Sequence, residues 1–314
     1  MEEKSMSVAT SEAGEKPMGM APSMAGDGLS GASPEASGLC ETCDRTCEKF
    51  EAAALRGEGV SVGYENRVVI EPMDVAVPAG EVTAIIGPNG YGKSTLLKAL
   101  SRTMPLRAGA VYLDGKAIAE MPTTEVARKM ALLPQSPEAP GGLTVGELVA
   151  LGRYPHQKGF GRLTARDREI IAWALSITHL TEFADRALDA LSGGQRQRAW
   201  IAMALAQDTD LILLDEPTTY LDMAHQLEVL ELLRSLNQKQ GKTIALVIHE
   251  LNLAARFSDW MIALKSGAIR GAGTPKEVMT PALLREVFGL DALIEPDPWT
   301  GRPSLVSYRL AGEE

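Results

Sequence analysis

The chain has 314 residues, 45% of them hydrophobic, and a formal net charge of −10, which is enough apolar material for one large domain or two small ones. No apolar run approaches the roughly 20 residues that cross a bilayer, and Met1-Glu2-Glu3-Lys4-Ser5 lacks the basic and apolar regions of a secretory signal, so a soluble cytoplasmic chain is expected. Residues 1–55 hold four Lys/Arg against ten Asp/Glu, so most of the acidity lies in the N-terminal tail, and no basic stripe points to nucleic acid.

That tail is rich in Ala, Ser, Gly, Glu and Met and nearly free of aromatic and β-branched residues. Such a segment buries too little surface to offset chain entropy, so residues 1–55 are expected to be disordered. All three cysteines lie there, at Cys40, Cys43 and Cys47. An odd number in a cytosolic setting argues against a disulfide framework. The C-x₂-C-x₃-C spacing lacks a fourth ligand and a nearby His, so unliganded thiols are expected.

Folding is expected to start near Leu55 and to continue to 312 as one domain. Val60–Tyr64, Val68–Ile70 and Met73–Val77 read as three short strands of an antiparallel subsheet. Tyr64 at the end of the first is either half-buried core or an aromatic ring that stacks on an adenine. Val82–Ile86 is β-branched and apolar, a buried strand, and Leu96–Leu100 reads as helix. Between them, Gly87-Pro88-Asn89-Gly90-Tyr91-Gly92-Lys93-Ser94-Thr95 fits the P-loop pattern of Gly, four residues, Gly-Lys and Ser/Thr. The glycines let the main chain approach a ligand. Successive N–H groups and the new helix's positive end then form a phosphate cradle. Lys93 is expected to reach the outer phosphates of a ligand, and the Ser94 hydroxyl to ligate Mg²⁺.

Gly109–Lys116 ends in Asp114-Gly115, a hairpin signal. A short helix follows (Thr124–Met130), then a buried strand, Ala131–Gln135, whose Gln135 caps a turn, ligates Mg²⁺ or holds a water. Residues 136–190 read as a helical insertion. Within it, Thr144 with Glu147 and Thr164 with Asp167 form capping boxes before apolar runs. Leu191-Ser192-Gly193-Gly194-Gln195 precedes a helix from Arg196 to Gln207 and presents another cluster of N–H donors. Leu211–Leu214 is a continuous apolar strand ending in Asp215-Glu216-Pro217, where open α/β sheets place ligands. Asp215 suits the Mg²⁺ shell, and Glu216 is placed to polarise a water. Asp222 caps a long helix, Met223 to about Gln240. Thr243–Ile248 is a further strand, and His249 stands at its end, on the same rim as Asp215. The remainder reads as a strand (Trp260–Leu264), a hairpin, helices at 275–279 and 281–288, and an exposed turn at 296–301 before a closing strand.

From Val60 to Arg309 the P-loop, Gln135, Leu191–Gln195, Leu213–Pro217 and His249 stand in the order of the ATP-binding subunits of ABC transporters, and the chain resembles that family. The resemblance implies an α/β fold: a RecA-like P-loop NTPase core, an antiparallel β subdomain and an inserted helical subdomain. It implies a head-to-tail homodimer in which Ser192, Gly193, Gly194 and Gln195 of one copy meet the γ-phosphate held by the other's P-loop. Glu216 would be the general base, His249 would touch the γ-phosphate, Gln135 would couple Mg²⁺ to the membrane partner, and Asp222 would bridge the two sites. Hydrolysis then depends on closure, and closure drives transport.

Val149–His156, Gln195–Ala204 and Asp222–Gln226 further resemble importers of iron(III) siderophores, haem and cobalamin. The implied partners are integral-membrane permease subunits and, indirectly, a periplasmic or surface substrate-binding protein, with the chain peripheral on the cytoplasmic face of the membrane. An alternative of another class is a soluble ABC ATPase; the single P-loop and the lack of sustained heptads weigh against it. Tyr91, where the family has a smaller residue, and Glu250, where Asp is commoner, are departures that remove no catalytic group. The Tyr91 ring is expected to face away from the cradle.

Overall fold

A computed structural model describes residues 49–64, 67–157, 161–219 and 221–312. The expectations for residues 1–48, including Cys40, Cys43 and Cys47, lie outside the described residues. Ordered structure begins before the expected start near Leu55. Lys49 pairs with Glu81 at 2.6 Å and lies 4.9 Å from the Trp260 ring centroid, and the first strand begins at Ala53. The alternation that buries Ala53 and Leu55 is hidden in the sequence by an alanine run.

The strands β1 (Ala53–Tyr64), β2 (Arg67–Pro78), β4 (Ala108–Leu113) and β5 (Lys116–Ala117) form an antiparallel sheet in the order β2-β1-β4-β5. The three short strands expected over residues 60–77 are instead two long ones. Glu71-Pro72 does not end β2: the irregularity is absorbed where the register slips between Val60↔Met73 and Val62↔Ile70, and the Glu71 N–H donates to Gly267 O at 2.9 Å. Asp114 and Gly115 both take positive φ, 49° and 76°, the geometry of a tight hairpin turn.

The second sheet runs β10-β9-β3-β8-β7-β6. Its strands are β3 (Val82–Ile86), β6 (Met130–Leu133), β7 (Leu211–Asp215), β8 (Thr243–Val247), β9 (Trp260–Lys265) and β10 (Ala268–Gly273). All neighbours are parallel except β9 and β10. Both faces are covered, so period-2 alternation sorts each strand into two cores. Ala84, Ile86, Ile212, Leu214, Ile244 and Leu246 join one cluster; Ile85, Leu211, Leu213, Ala245 and Val247 join the other with the antiparallel sheet. This is why the strands read as unbroken apolar runs. Because β3, β6, β7 and β8 are parallel, the segments that follow them emerge on one rim.

The helices are α1 (Lys93–Leu100), α2 (Thr123–Lys129), α3 (Val145–Leu151), α4 (Ala165–Ile177), α5 (Gly193–Ala206), α6 (Met223–Gln240), α7 (Leu251–Phe257), α8 (Pro275–Val278) and α9 (Pro281–Phe288). The capping boxes expected before α3 and α4 are both present. Two helix starts differ from expectation. Helix α1 begins at Lys93 rather than Leu96, and α5 begins at Gly193, so both signature glycines lie in its first turn rather than in a preceding loop. Their backbone freedom, costly in a helix interior, does not prevent a helix start that Ser192 caps. Helix α7 and strand β11 (Leu290–Pro296), which pairs with β12 (Pro303–Leu310), are further elements; both are too short for a clear periodic signal.

The stretch Val149–His156 ties α5 in place. Arg153 and Asp167 form a buried pair at 2.8 Å, and Arg153 Nη1 donates to Ala206 O at 2.9 Å. A His156 ring nitrogen lies 2.8 Å from Gln207 O. Gly152 is required there, since a Cβ would lie 2.2 Å from Met203 O.

Candidate active site

The parallel rim builds a cleft of about 880 Å³. The loop after β3 supplies Asn89, Gly90, Tyr91, Gly92, Lys93, Ser94 and Thr95; the ends of β6, β7 and β8 supply Gln135, Glu216 and His249. Tyr64, Arg67 and Val69 line it from the β1–β2 hairpin, with Ser266 and Gly267 beyond β9. Gly92 is the N-cap of α1 at φ 94°, and no side chain caps that helix, so its first N–H groups are left for an anion.

The P-loop glycines have different physical reasons. Gly90 stands at φ 81° with open space around it, so only its backbone angle calls for glycine. Gly87, by contrast, packs on the core: a Cβ would lie 2.1 Å from Leu264 O. Neither Gly87 nor Pro88 lines the cleft. Their carbonyl oxygens instead accept from Lys93 Nζ at 2.8 and 2.9 Å. Lys93 is buried. Burial pulls its pKa down, against the opposing charges of Glu216 and Asp215. Tyr64 is 57% exposed, which excludes the core alternative for it and leaves its ring open to stacking; Tyr91 is 37% exposed.

Across the cleft, the Ser94 hydroxyl donates to Asp215 Oδ1 at 2.7 Å. Asp215 is buried, and its Oδ2 has no hydrogen-bond partner. Burial raises its pKa, Ser94 opposes that, and the neighbouring Glu216 raises it further. A half-satisfied, buried carboxylate beside a serine hydroxyl is a donor set that suits a hard divalent cation such as Mg²⁺.

Glu216 is held by three groups. His249 Nε2 lies 2.6 Å from Oε1; Gln135 Nε2 and Thr219 Oγ1 donate to Oε2 at 2.6 and 3.1 Å. Burial raises its pKa, but His249 first, then Thr219 and Gln135, outweigh that and leave it below the ordinary carboxylate range. Its backbone stands at φ 54°, a left-handed conformation that costs a non-glycine residue about 1–3 kcal/mol. Thr219 is a site residue that sequence reasoning missed; it acts only through the turn that returns it to Glu216, where its N–H also donates to Glu216 O. Arg67, Val69, Ser266 and Gly267 were missed too, because they reach the cleft from another sheet or a distant hairpin.

The structure does not bring Ser192, Gly193, Gly194 or Gln195 to this cleft. Ser192 instead caps α5: its Oγ accepts from Gln195 N at 3.2 Å while Gln195 Oε1 accepts from Ser192 N at 3.1 Å. Asp222 likewise caps α6, accepting from His225 N at 2.9 Å.

The iron(III)-hydroxamate import ATP-binding protein FhuC of Bacillus subtilis (strain 168) is 59% identical over 261 residues, covering 83% of this chain and 97% of that protein. The chain belongs to the ABC transporter family. The family profile itself matches residues 70–219, and the ferric enterobactin transport ATP-binding protein FepC of Escherichia coli (strain K12) is 51% identical, covering 81% and 94%. Among solved structures, a metal-chelate type ABC transporter in an inward-facing conformation superposes with a TM-score of 0.70 at 28% identity, over 81% of this chain and 97% of its own. The dimeric post-hydrolysis state of the cassette MJ0796, bound to ADP and Pi, gives 0.63 at 29%, over 70% and 98%. The resemblance and the RecA-like α/β fold that it implies are borne out. This ABC ATPase is an ATP-binding, ATP-hydrolysing protein, and among its described residues no helix is long and apolar enough to cross a membrane.

Proposed function

We propose that the chain is the ATPase subunit of an importer of iron(III) siderophores, working as a head-to-tail homodimer under integral-membrane permease subunits. It would sit peripherally on the cytoplasmic face and be fed indirectly by a substrate-binding protein. One observation carries this reading. The cleft gathers Asn89–Thr95 of the P-loop, Gln135, Glu216 and His249 in one chain, with Asp215 bonded to Ser94 at its wall, yet lacks Ser192–Gln195, so that a second copy would supply the donors opposite the phosphates. The siderophore cargo rests on the names of the relatives with 50–59% identity.

In this reading the P-loop amides and Lys93 bind the phosphates, Lys93 leaving the Gly87 and Pro88 carbonyls as it does so. Tyr64 stacks on the adenine. Ser94, Asp215 and Gln135 would hold Mg²⁺, which would supply charge neutralisation to the phosphates. Closure brings the partner copy's signature helix onto the γ-phosphate. Glu216 then takes a proton from water as its oxygen bonds to the γ-phosphorus and the bond to the bridging oxygen breaks, releasing ADP. His249 moves its N–H from Glu216 to the γ-phosphate, which frees the carboxylate that it otherwise restrains. Gln135, hydrogen-bonded to Glu216, transmits the state of the site to the permease, and Asp222 bridges the two sites.

The test is reconstitution with the permease in vesicles, scored by ATP-dependent uptake of ferric hydroxamates, ferric catecholates, haem and cobalamin. Uptake of an iron(III) chelate is expected, and Glu216→Gln should abolish it while ATP still binds. Transport of cobalamin or haem alone would replace the cargo, and full activity of Glu216→Gln would remove the base.

A further inference from the structure

The signature helix and the base of the same chain are joined by a contact whose donor lies in neither motif. Two residues beyond the signature, Gln197 of α5 is half-buried, and its Nε2 donates to Pro217 O at 3.0 Å. Pro217 follows Glu216 directly, so this bond fixes the peptide just beyond the left-handed residue that carries the base. The same turn is held from its other side by α6, where Gln226 Nε2 lies 3.2 Å from Leu221 O and 3.4 Å from Thr218 O. The first turn of α5 rests on this segment too: a Cβ at Gly194 would lie 3.5 Å from Leu221 Cδ2 and 3.8 Å from the His225 ring. A proline cannot hold its place with an N–H of its own, and a non-glycine residue at positive φ stays there only where its surroundings fix it.

We propose that Gln197 is a positioning residue for hydrolysis: it locks the Glu216–Pro217 turn to the signature helix, so that the base of one site and the donors offered to the other site move as one piece. This rests on Glu216 being the base. Gln197 does not line the cleft; it acts through the Pro217 carbonyl. A displacement of α5 as it engages the partner's phosphate would then shift the turn carrying its own chain's base.

The test uses the full chain with its permease and compares three variants at Gln197. Gln197→Met keeps the length and removes the donor; Gln197→Glu does the same by replacing the amide with a carboxylate; Gln197→Lys restores a donor able to reach Pro217 O. For Met and Glu, kcat for ATP is expected to fall about tenfold while KM and ATP affinity stay within about twofold, and Lys should recover at least half of the loss. The Glu variant decides the matter should Met fail to fold. Wild-type kcat in both donor-less variants would overturn the proposal, as would a loss that Lys does not recover or one that appears in KM. Glu216→Gln, run in parallel, separates the two readings: if it is inactive while the Gln197 variants are normal, only the positioning role is lost, and if it is fully active the base assignment falls first.

Discussion

Two kinds of helix start in this chain use the same hydrogen-bond device with different charge. Before α3 and α4, Thr144 and Thr164 cap the helix and a carboxylate closes the box, Glu147 in the first and Asp167 in the second; Glu277 accepts from Thr274 N before α8 in the same manner. Before α5, Ser192 caps a box of the same form, but the closing residue is the neutral amide of Gln195. An acid in the first turn compensates the positive end of a helix. These three helices are thus neutralised from within, whereas the signature helix has no acid in its first turn and keeps its positive end uncompensated, as the proposed contact with a partner's phosphate would require. The box also leaves the Ser192 hydroxyl proton free, since its Oγ acts there as acceptor, so in the proposed dimer the serine would donate to the partner's nucleotide without uncapping its own helix.

The strongest way to break this contrast is to convert the signature into a structural box. Gln195→Glu should keep or slightly raise stability, by about 0.3–1 kcal/mol from the helix dipole, and yet lower kcat by about 10²-fold or more, since in the proposed dimer a carboxylate would then face the partner's γ-phosphate where transition-state charge has to be stabilised. Nucleotide binding to the single copy should be unchanged, because Gln195 does not line the P-loop cleft. Steady-state hydrolysis beside thermal unfolding and nucleotide titration reads all three; a Gln195→Glu variant as active as wild type would show that the neutral amide has no electrostatic purpose.

An intermediate effect is expected from acid at the box before α4. Burial works against the charged form of Asp167, but the Thr164 hydroxyl and N–H and then Arg153 overcome it and lower its pKa to about 2. A depressed carboxylate stabilises the fold above its unfolded pKa, and that stabilisation is lost as pH falls through the folded value. Asp167 should therefore contribute about 2 kcal/mol at neutral pH, with about half of it gone by pH 3. Denaturant unfolding of wild type and Asp167→Asn at pH 6 and pH 3 should show the gap between them narrowing toward acid; a gap independent of pH would mean that Thr164 and Arg153 do not hold the carboxyl below the ordinary carboxylate range.

Legibility divides along similar lines. The P-loop, the strand ends bearing Asp215, Glu216 and His249, and both threonine boxes are readable because each is fixed by local spacing and alternation within one element. The continuity of β2 through Glu71-Pro72 is not, since it depends on Gly267 of a distant hairpin accepting the Glu71 N–H. Nor is the burial of Arg153, whose partners Asp167 and Ala206 come from two other helices. Thr219 and Gln197 escape for the same reason: a hydroxyl or amide near a motif looks solvated until the turn at Glu216 places its partner. Gly87 reads from its motif as ligand-facing, yet its closest constraint is Leu264 O behind the loop.

The smallest expected effect sits at the box before α3, and it decides how much of the contrast is thermodynamic. The Thr144 side chain accepts from Glu147 N at 3.2 Å while Glu147 Oε2 accepts from Thr144 N at 2.8 Å. Thr144→Ala removes one partner of an otherwise orphaned helix donor and should cost about 1 kcal/mol of stability, with kcat and KM within about twofold of wild type, because α3 contributes nothing to the cleft. The matching change at the signature, Ser192→Ala, loses a cap of the same kind and should cost a similar amount in unfolding while lowering kcat far more. If both variants lost only stability, the signature box would be a helix cap like the others, and the neutral Gln195 would need another explanation.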